Sequence, residues 1–409
     1  MSALVPLPDR GSPAYQALVT RRPIADQVWD SVTQILGYVR ASGDGAVLEL
    51  TERLDGVRLA RTRVPEQECA AALEGLDGRV REALTEAALR IEAVHGAQLF
   101  HEEPVAVAPG VRVWREWRPF RRVGLYAPGG RTVYPSSVLM LAVPARLAGC
   151  QDIVLCSPPQ PDGHVAPTTL AAAALCGVTE VHAIGGAQAI AALAYGTESL
   201  SRVAKIYGPG NAYVTAAKLQ VNGEVAIDMP AGPSEIVVIS DGSAPLAWVA
   251  SDLRAQAEHS PDALALLVST SESDAEALRD VPDSQVRGFR CVDLQQAIAF
   301  ANDFAPEHLA LACRDPERWL RLVSSAGSIF LGAYAAAAAG DYATGANHVL
   351  PTGGAARSFG PLGVEDFGRP VQVQSVDASG IQAIAEVTDV LAAVENLPWH
   401  AASVRLRSR

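Results

Sequence analysis

The chain has 409 residues, 49% of them hydrophobic and only 6% aromatic, and its formal net charge at pH 7 is −12. This length exceeds what one ordinary hydrophobic core organises, so two or more domains are expected. Lys and Arg form no long run before the Arg-rich last five residues. Nucleic acid and anionic membrane surfaces are therefore unfavourable partners, and a small soluble substrate is expected.

The six cysteines lie scattered without Cys-x-x-Cys spacing, which is typical of buried thiols in a reducing compartment. The first residues lack the basic region followed by an apolar one that marks a secretory signal. No uncharged apolar stretch of membrane-spanning length occurs without Pro or Gly. We therefore predict a cytoplasmic protein.

The first hundred residues are charged and predict helices. Apolar residues recur at three- and four-residue steps in Ala25–Ser42 and in Gly78–Phe100. Strand patterns follow at Val111–Trp117 and at Arg122–Tyr126.

Short apolar runs and alanine-rich segments then alternate, which predicts βαβ units and a parallel sheet. The predicted strands are Ile153–Cys156, Val181–Ile184, Val203–Ile206, Val225–Met229 and Ile236–Ser240, and the predicted helices are Pro135–Ala148, Pro167–Cys176 and Gln188–Tyr195. A second set of strands, Ala263–Ser269, Phe289–Val292 and Ser328–Leu331, indicates a second α/β unit.

The end of the chain is a separate segment. From about Val371 it contains one strand-like piece and one amphipathic helix, Gly380–Glu395. This tail is too small to fold alone, so we expect it to dock on another surface.

The adjacent pair Glu307–His308, behind a proline, provides two bases of different pKa at one point. A reaction with two proton removals could use both, although one such pair is also compatible with a solvated loop. Three more histidines in unusual polar surroundings, His259, His348 and His400, indicate a dispersed catalytic and metal centre.

Two of these clusters have candidate metal ligands. Gln256 and His259 stand three apart in a helix-like stretch and share one face, as the start of a Zn²⁺ site or as a polar helix end. Asp341 and His348 bracket a glycine-containing loop. Either could bind a metal or a substrate.

Three glycine-rich turns follow strands, at Tyr126–Gly130, Ile184–Gln188 and Gly208–Asn211. Free backbone N–H groups in such turns can bind phosphate, although none of the turns matches G-x-G-x-x-G. A thiolate at Cys150 would suit an aldehyde dehydrogenase, but no histidine is its neighbour and a buried structural thiol is the favoured interpretation.

A family resemblance extends almost continuously from about Arg121 to His400. It is carried by Tyr126-Ala-Pro-Gly-Gly, Pro135-Ser-Ser-Val-Leu-Met, Gly185-Gly-Ala-Gln-Ala-Ile, Gly208-Pro-Gly-Asn-Ala-Tyr, Asp228-Met-Pro-Ala-Gly-Pro-Ser-Glu, Gln256-Ala-Glu-His, Phe304-Ala-Pro-Glu-His-Leu, Gly340-Asp-Tyr-Ala, Asn347-His-Val-Leu-Pro-Thr-Gly-Gly and the Glu395 and His400 pair. These segments, in this order, resemble histidinol dehydrogenase, the zinc enzyme that completes histidine biosynthesis.

The resemblance implies a four-electron oxidation of L-histidinol to L-histidine with two NAD⁺, with histidinal kept bound between the steps. It implies Glu307 and His308 as the catalytic pair and one Zn²⁺ per subunit. The implied zinc ligands, which would also contact the substrate, are Gln256, His259, Asp341 and His400; the further substrate contacts are Ser234, His308, His348 and Glu395; and the NAD⁺ contacts are Tyr126, Gln188 and Asn211.

The implied α/β architecture is two incomplete Rossmann-like domains with small terminal segments, in an intertwined homodimer. We assign 1–19 to an N-terminal segment, 20–125 with 234–362 to the first domain, and 126–233 to the second domain. Residues 363–409 form the tail, which would dock on the partner subunit.

The sequence departs from the family's usual sequence pattern at Ala355–Phe367 and at Ser260. Neither departure removes a chemical group. The nearest rival is a paralogue that oxidises another primary alcohol such as sulfopropanediol, but Ser234, His348 and Glu395 suit the groups of histidinol. A non-catalytic zinc-binding protein on the same scaffold is disfavoured because the pair Glu307–His308 is present.

Overall fold

The computed structural model describes residues 4–20, 24–130, 132–279, 281 and 285–408. It contains two six-stranded sheets covered by helices, and a smaller three-stranded sheet. In the part of the chain that is described, no helix is both long and apolar enough to cross a membrane.

Strands and helices alternate along most of the chain. Within the described residues the strands are β1 Val5–Pro6, β2 Arg63–Val64, β3 Val105–Ala108, β4 Val111–Pro119, β5 Arg122–Tyr126, β6 Asp152–Ser157, β7 Glu180–Ala183, β8 Lys205–Tyr207, β9 Ala226–Ile227, β10 Glu235–Ser240, β11 Leu264–Ser269, β12 Val286–Arg290, β13 His308–Ala312, β14 Ser328–Leu331 and β15 Gly368–Val376. The α-helices are α1 Pro13–Val19, α2 Asp26–Asp55, α3 Glu66–Glu74, α4 Gly78–Gly96, α5 Pro135–Ala148, α6 Pro167–Leu175, α7 Gly186–Tyr195, α8 Ala212–Val221, α9 Leu246–Glu258, α10 Leu294–Phe304, α11 Pro316–Leu320, α12 Ala337–Tyr342, α13 Ala378–Val394 and α14 Pro398–Arg405.

The first of the large sheets, here called sheet one, has the order β1-β12-β11-β10-β13-β14 and is parallel throughout. Its inner strands β10 and β13 are buried along their whole length. Strands that are covered on both faces require nearly continuous apolar sequence, and Ile-Val-Val-Ile in β10 supplies it. In register, Ile236 lies opposite His308.

The second large sheet, sheet two, has the order β2-β7-β6-β5-β8-β9 and is parallel except for β2 at its edge. Helix α2 packs against α7 and α8, α3 against α6, and α4 against α5. Helices α2 to α4 therefore cover sheet two, whereas residues 20–125 had been predicted to join residues 234–362. The apolar faces of these helices are buried against α5 to α8, and the domain grouping stays a prediction.

The tail is attached to its own chain by β15, which pairs antiparallel with β4 along nine residues in the order β15-β4-β3. Beyond this strand, α13 and α14 pack mainly on each other. These helices leave large apolar side chains exposed: Val387, Val390, Leu391, Val394 and Trp399.

The predicted strands and helices are present with shifted ends, and several short elements occur that were not predicted; two differences bear on the site and its surroundings. Helix α2 continues past the predicted Ser42 to Asp55, across a kink at Gly43 where φ is 52°. Strand β13 was not predicted, although it lies inside sheet one, between β10 and β14. It is short, it begins at a histidine, and it follows a proline, so its sequence resembles a loop.

Candidate functional site

The pair Glu307–His308 lies where β13 begins, and Ser234 and Glu235 lie where the neighbouring strand β10 begins. Because the two strands are parallel, both pairs of residues are at the amino-terminal edge of sheet one. All four except Ser234 are buried. The predicted catalytic pair is therefore part of a buried polar cluster and does not lie in a solvated loop.

Three hydrogen bonds organise this cluster around the Glu307 carboxylate. The Ser234 hydroxyl donates to Glu307 Oε2 over 2.6 Å, and the backbone N–H of Glu235 donates to the same oxygen over 2.9 Å. The Gln256 amide donates from Nε2 to Ser234 Oγ over 2.8 Å. Gln256 and Glu307 are thus connected through one hydroxyl group.

Two carboxyl groups in this cluster have raised pKa values. Burial raises the pKa of Glu307 to about 7, although the hydrogen bonds from Ser234 and from the Glu235 backbone oppose it. Burial and the charge of Glu307 raise the pKa of Glu235 to about 8. A carboxyl group with a pKa near neutrality is suited to accept and release a proton during catalysis.

The geometry of His308 leaves one ring nitrogen available. Its Nδ1 lies 3.3 Å from the backbone oxygen of Glu235 and 3.5 Å from Glu307 Oε2. A carbonyl oxygen only accepts, so this contact places the proton on Nδ1 and leaves the lone pair on Nε2. Burial lowers the pKa of His308, which favours the neutral ring that a general base requires.

His348 is held beside Asp341 and against the helices of sheet two. Its Nδ1 lies 3.0 Å from the backbone oxygen of Asp341, and its Nε2 lies 3.2 Å from the hydroxyl of Ser137 on α5. Burial lowers the pKa of His348 to about 4. Both nitrogens of this neutral ring therefore have polar neighbours.

Three of the predicted metal ligands lie on or next to two helices that pack together. Gln256 is in the last turn of α9, His259 follows that helix, and Asp341 is on α12, which packs against α9. Burial raises the pKa of Asp341, while the charges of His308 and His259 oppose this shift. An imidazole and a carboxylate are donors that suit Zn²⁺, whereas the amide oxygen of Gln256 would be an uncommon one.

The fourth predicted ligand is not near the other three in the same chain. His400 and Glu395 are both exposed on the tail. Over the described ranges, no group of three or more His, Cys, Asp or Glu side chains is arranged to bind a metal ion. The predicted ligand set therefore stays a prediction.

The predicted cofactor residues lie at the carboxyl ends of the strands of sheet two. Tyr126 ends β5 and its hydroxyl accepts from the Gly186 N–H over 3.1 Å. Gln188, in the first turn of α7, donates to the Asp55 carboxylate over 3.2 Å. Asn211 caps α8. This edge of a parallel sheet is where open α/β folds bind nucleotides.

The turn before Asn211 requires a glycine. Gly208 has a φ of 126°, and an added Cβ would collide with the backbone oxygen of Tyr126. Its N–H donates to the buried carboxylate of Asp228 over 2.8 Å, and its carbonyl accepts from Lys218 over 2.9 Å. Both backbone groups of Gly208 are therefore hydrogen-bonded to buried side chains, which fixes the conformation of the turn.

Two contacts in the site had not been predicted. Glu235 and Ser137 each bond to a predicted residue or its loop, yet neither had been assigned a role. Both stand inside segments that carry the family resemblance, which was the available signal. Conversely, Cys150 donates from Sγ to the Phe367 carbonyl, and burial raises its pKa to about 12, so it is a structural thiol.

A buried carboxylate next to a buried imidazole, at the edge of a parallel sheet, is an arrangement that can transfer protons and is typical of an enzyme site. A sequence model of histidinol dehydrogenase matches residues 20–408. The histidinol dehydrogenase of Xanthomonas euvesicatoria is 46% identical over 94% of this chain and 93% of its own length. That of Vibrio parahaemolyticus is 42% identical over 96% and 95%.

A solved structure agrees with this. The crystal structure of histidinol dehydrogenase from Elizabethkingia anophelis has a TM-score of 0.93 and 36% identity, and the match covers 99% of this chain and 98% of that one. The chain belongs to the histidinol dehydrogenase family. It is an oxidoreductase that acts on an alcohol, and its family supports a role in histidine biosynthesis.

Proposed function

We propose that this chain oxidises L-histidinol to L-histidine in two successive two-electron steps, with Zn²⁺ and two NAD⁺, as a homodimer in the cytoplasm. The observation that carries the proposal is the polar cluster in which Ser234 joins Glu307 to Gln256. It connects a candidate base to a candidate metal ligand through a single hydroxyl group.

Gln256, His259 and Asp341 would hold the zinc ion together with His400 from a second copy of the chain. When bound, the ion would hold the imidazole and amino groups of the substrate and so fix its orientation. Ser234, His308, His348 and Glu395 would make further substrate contacts. The neutral ring of His348 suits this role, because it can donate or accept without adding charge.

Tyr126, Gln188 and Asn211 would bind NAD⁺, which accepts a hydride in each step. Their place at the carboxyl edge of sheet two supports this assignment. The predicted contacts are therefore divided between two sheets, with the proton-transfer groups on sheet one and the cofactor contacts on sheet two.

His308 would act in the first step. Its Nε2 removes the proton of the alcohol while the adjacent carbon loses a hydride, which gives the aldehyde histidinal. The backbone oxygen of Glu235 holds the proton on Nδ1 throughout and so keeps the ring in the required tautomer.

Glu307 would act in the second step. It removes a proton from water as the water oxygen attacks the aldehyde carbon, and the resulting hydrate loses a second hydride. The pKa of about 7 allows the carboxyl group to accept and then release this proton near neutral pH. No thiol takes part.

The exposed apolar surface of α13 and α14 supports a dimer in which the tail docks on a partner. The proposed units are 1–19, residues 20–125 with 234–362, residues 126–233, and the tail 363–409, and the packing of α2 to α4 on α5 to α8 would join the two α/β units.

The test is NAD⁺ reduction with L-histidinol, compared with sulfopropanediol and other amino alcohols. We expect two NADH per L-histidinol and no turnover of sulfopropanediol. Turnover of sulfopropanediol in preference to histidinol would instead indicate the paralogous dehydrogenase.

A further inference from the structure

The segment that follows His348 contacts the Ser234 region at two points. Thr352 Oγ1 accepts a hydrogen bond from the Gly232 N–H. The Gly353 N–H donates to the Glu235 carboxylate at Oε1 over 2.8 Å, and the Gly354 N–H faces the same carboxyl group. The two points lie on either side of Ser234 in the chain.

The buried carboxyl group of Glu235 has no part in the proton transfers proposed above. It is only 7% exposed. Burial of a carboxyl group is costly unless it is hydrogen-bonded. Its partners are the backbone N–H group of Glu307 and those of two consecutive glycines, Gly353 and Gly354, whose φ angles of 58° and 75° are left-handed. Successive backbone N–H groups in a turn can bind a carboxylate in this way.

The position of Ser234 has a narrow tolerance. Its hydroxyl must donate to Glu307 over 2.6 Å and accept from Gln256 over 2.8 Å at the same time. A shift of about 1 Å would break one of these bonds, and a displacement of that size can lower a rate by roughly 100-fold.

We propose that Glu235 is a positioning residue, whose carboxyl group clamps segment 351–354 onto the start of β10 and thereby holds Ser234 between Glu307 and Gln256. The kinetic consequence rests on the proposed function. The clamp itself is a property of the fold and can be measured without substrate.

The test compares Glu235→Ala and Glu235→Gln with the control Ser240→Ala. Ser240 is in the same strand, is also buried, and accepts a hydrogen bond from a glycine N–H, that of Gly242 over 3.2 Å, but it lies at the far end of β10. Two quantities are measured: amide hydrogen exchange of the peptide that contains residues 347–357, and the steady-state constants for L-histidinol and NAD⁺.

For Glu235→Ala we expect faster exchange in this peptide and a kcat lower by roughly 100-fold, with the KM for NAD⁺ within about twofold, because the cofactor residues are on sheet two. Glu235→Gln keeps one acceptor oxygen and should retain more activity, which also covers the case that the alanine variant does not fold. Ser240→Ala should match the wild type in both measurements.

Unchanged exchange in both Glu235 variants would overturn the clamp. Faster exchange with an unchanged kcat would overturn the positioning role. A wild-type protein that fails to oxidise histidinol would instead refute the proposed function, and hydrogen exchange would still test the clamp.

Discussion

The body of the chain and its tail differ in how far each completes its own interactions. In the body, Glu307, Ser234 and Gln256 are bonded to one another in a buried cluster. In the tail, Glu395 and His400 are exposed beside uncovered apolar side chains of α13 and α14. Within a single chain, the polar groups of the body cluster are hydrogen-bonded and buried, whereas the apolar side chains of the tail helices stay exposed.

This difference concerns the proposed zinc site, whose ligands are divided between the body and the tail. The proposed zinc ligands Gln256, His259 and Asp341 are in the body, and the proposed fourth ligand, His400, is exposed on a tail whose helices have uncovered apolar side chains. A second copy of the chain would satisfy both needs at once. The predictions below test whether the body and the tail depend on each other across two chains.

The largest expected effect is that of metal removal. A chelator should abolish the oxidation of L-histidinol, and added Zn²⁺ should restore it, because the proposed ligands of body and tail meet only at the ion. Metal content and NADH formation are measured on the same samples. Full activity in a preparation shown to contain no metal would contradict the zinc site.

The second prediction exchanges subunits. His400→Ala and His259→Ala should each be inactive alone, because each removes one proposed ligand from every site. In a mixed dimer, one site would lack both ligands and the other would be intact. Random exchange makes about half of the dimers mixed, so roughly a quarter of all sites should work.

Subunit exchange is verified with tagged chains before activity is measured. A mixture of His400→Ala with itself, tagged and untagged, is the control and should stay inactive. If verified mixed dimers of the two variants show no activity, His400 belongs to the site of its own chain and the exchange of tails is wrong.

The third prediction concerns the body alone. Glu307→Gln should slow the aldehyde step by about 10²- to 10⁴-fold and the alcohol step less, because only the aldehyde step needs an activated water. The two steps are separated by supplying histidinal directly. Equal losses in both steps would show that Glu307 has a positioning role and does not activate water.

The smallest expected effect concerns stability, in a polar cluster that the body completes without a partner. Glu180 lies between Arg122, Arg63 and the buried ring of His182. Burial raises its pKa, but the hydrogen bonds of His182 and Arg122 and the charges of both arginines outweigh this and lower the pKa to about 2.

A lowered pKa stabilises the fold fully above the ordinary value of 4.5, and this stability is lost as the pH falls toward 2. Glu180→Gln should therefore lower the free energy of unfolding by on the order of 3 kcal/mol at pH 7, with a difference that shrinks below pH 4.5. Urea unfolding at several pH values measures this.

The control is Glu224→Gln, which breaks the exposed ion pair with Arg40 and should cost less than about 1 kcal/mol. A Glu180→Gln difference that does not change with pH would show that packing and not charge is responsible.

Periodicity predicted most of the fold because the signals are local. Alternating strands and alanine-rich helices predicted parallel sheets, which the structure contains, and they also predicted two α/β units and a tail that cannot fold alone. The same signals could not show that α2 to α4 cover sheet two, since a helix's pattern identifies an apolar face but not the surface that buries it. Strand β13 was not predicted because a histidine at its start and a proline just before it are typical of a loop, although all five of its residues are buried.

The sequence by itself determined the family and predicted the residue types of the site. A carboxylate beside an imidazole, or a glycine in a tight turn, can be recognised within a single segment of the chain. Only the tertiary structure showed that the Ser234 hydroxyl connects Glu307 to Gln256. It also showed that the Glu235 carboxylate accepts a hydrogen bond from the backbone of segment 351–354, and that Glu395 and His400 are exposed on the tail. These relations join residues from 22 to more than 100 positions apart. Such contacts depend on how strands are ordered in a sheet, which no local pattern specifies.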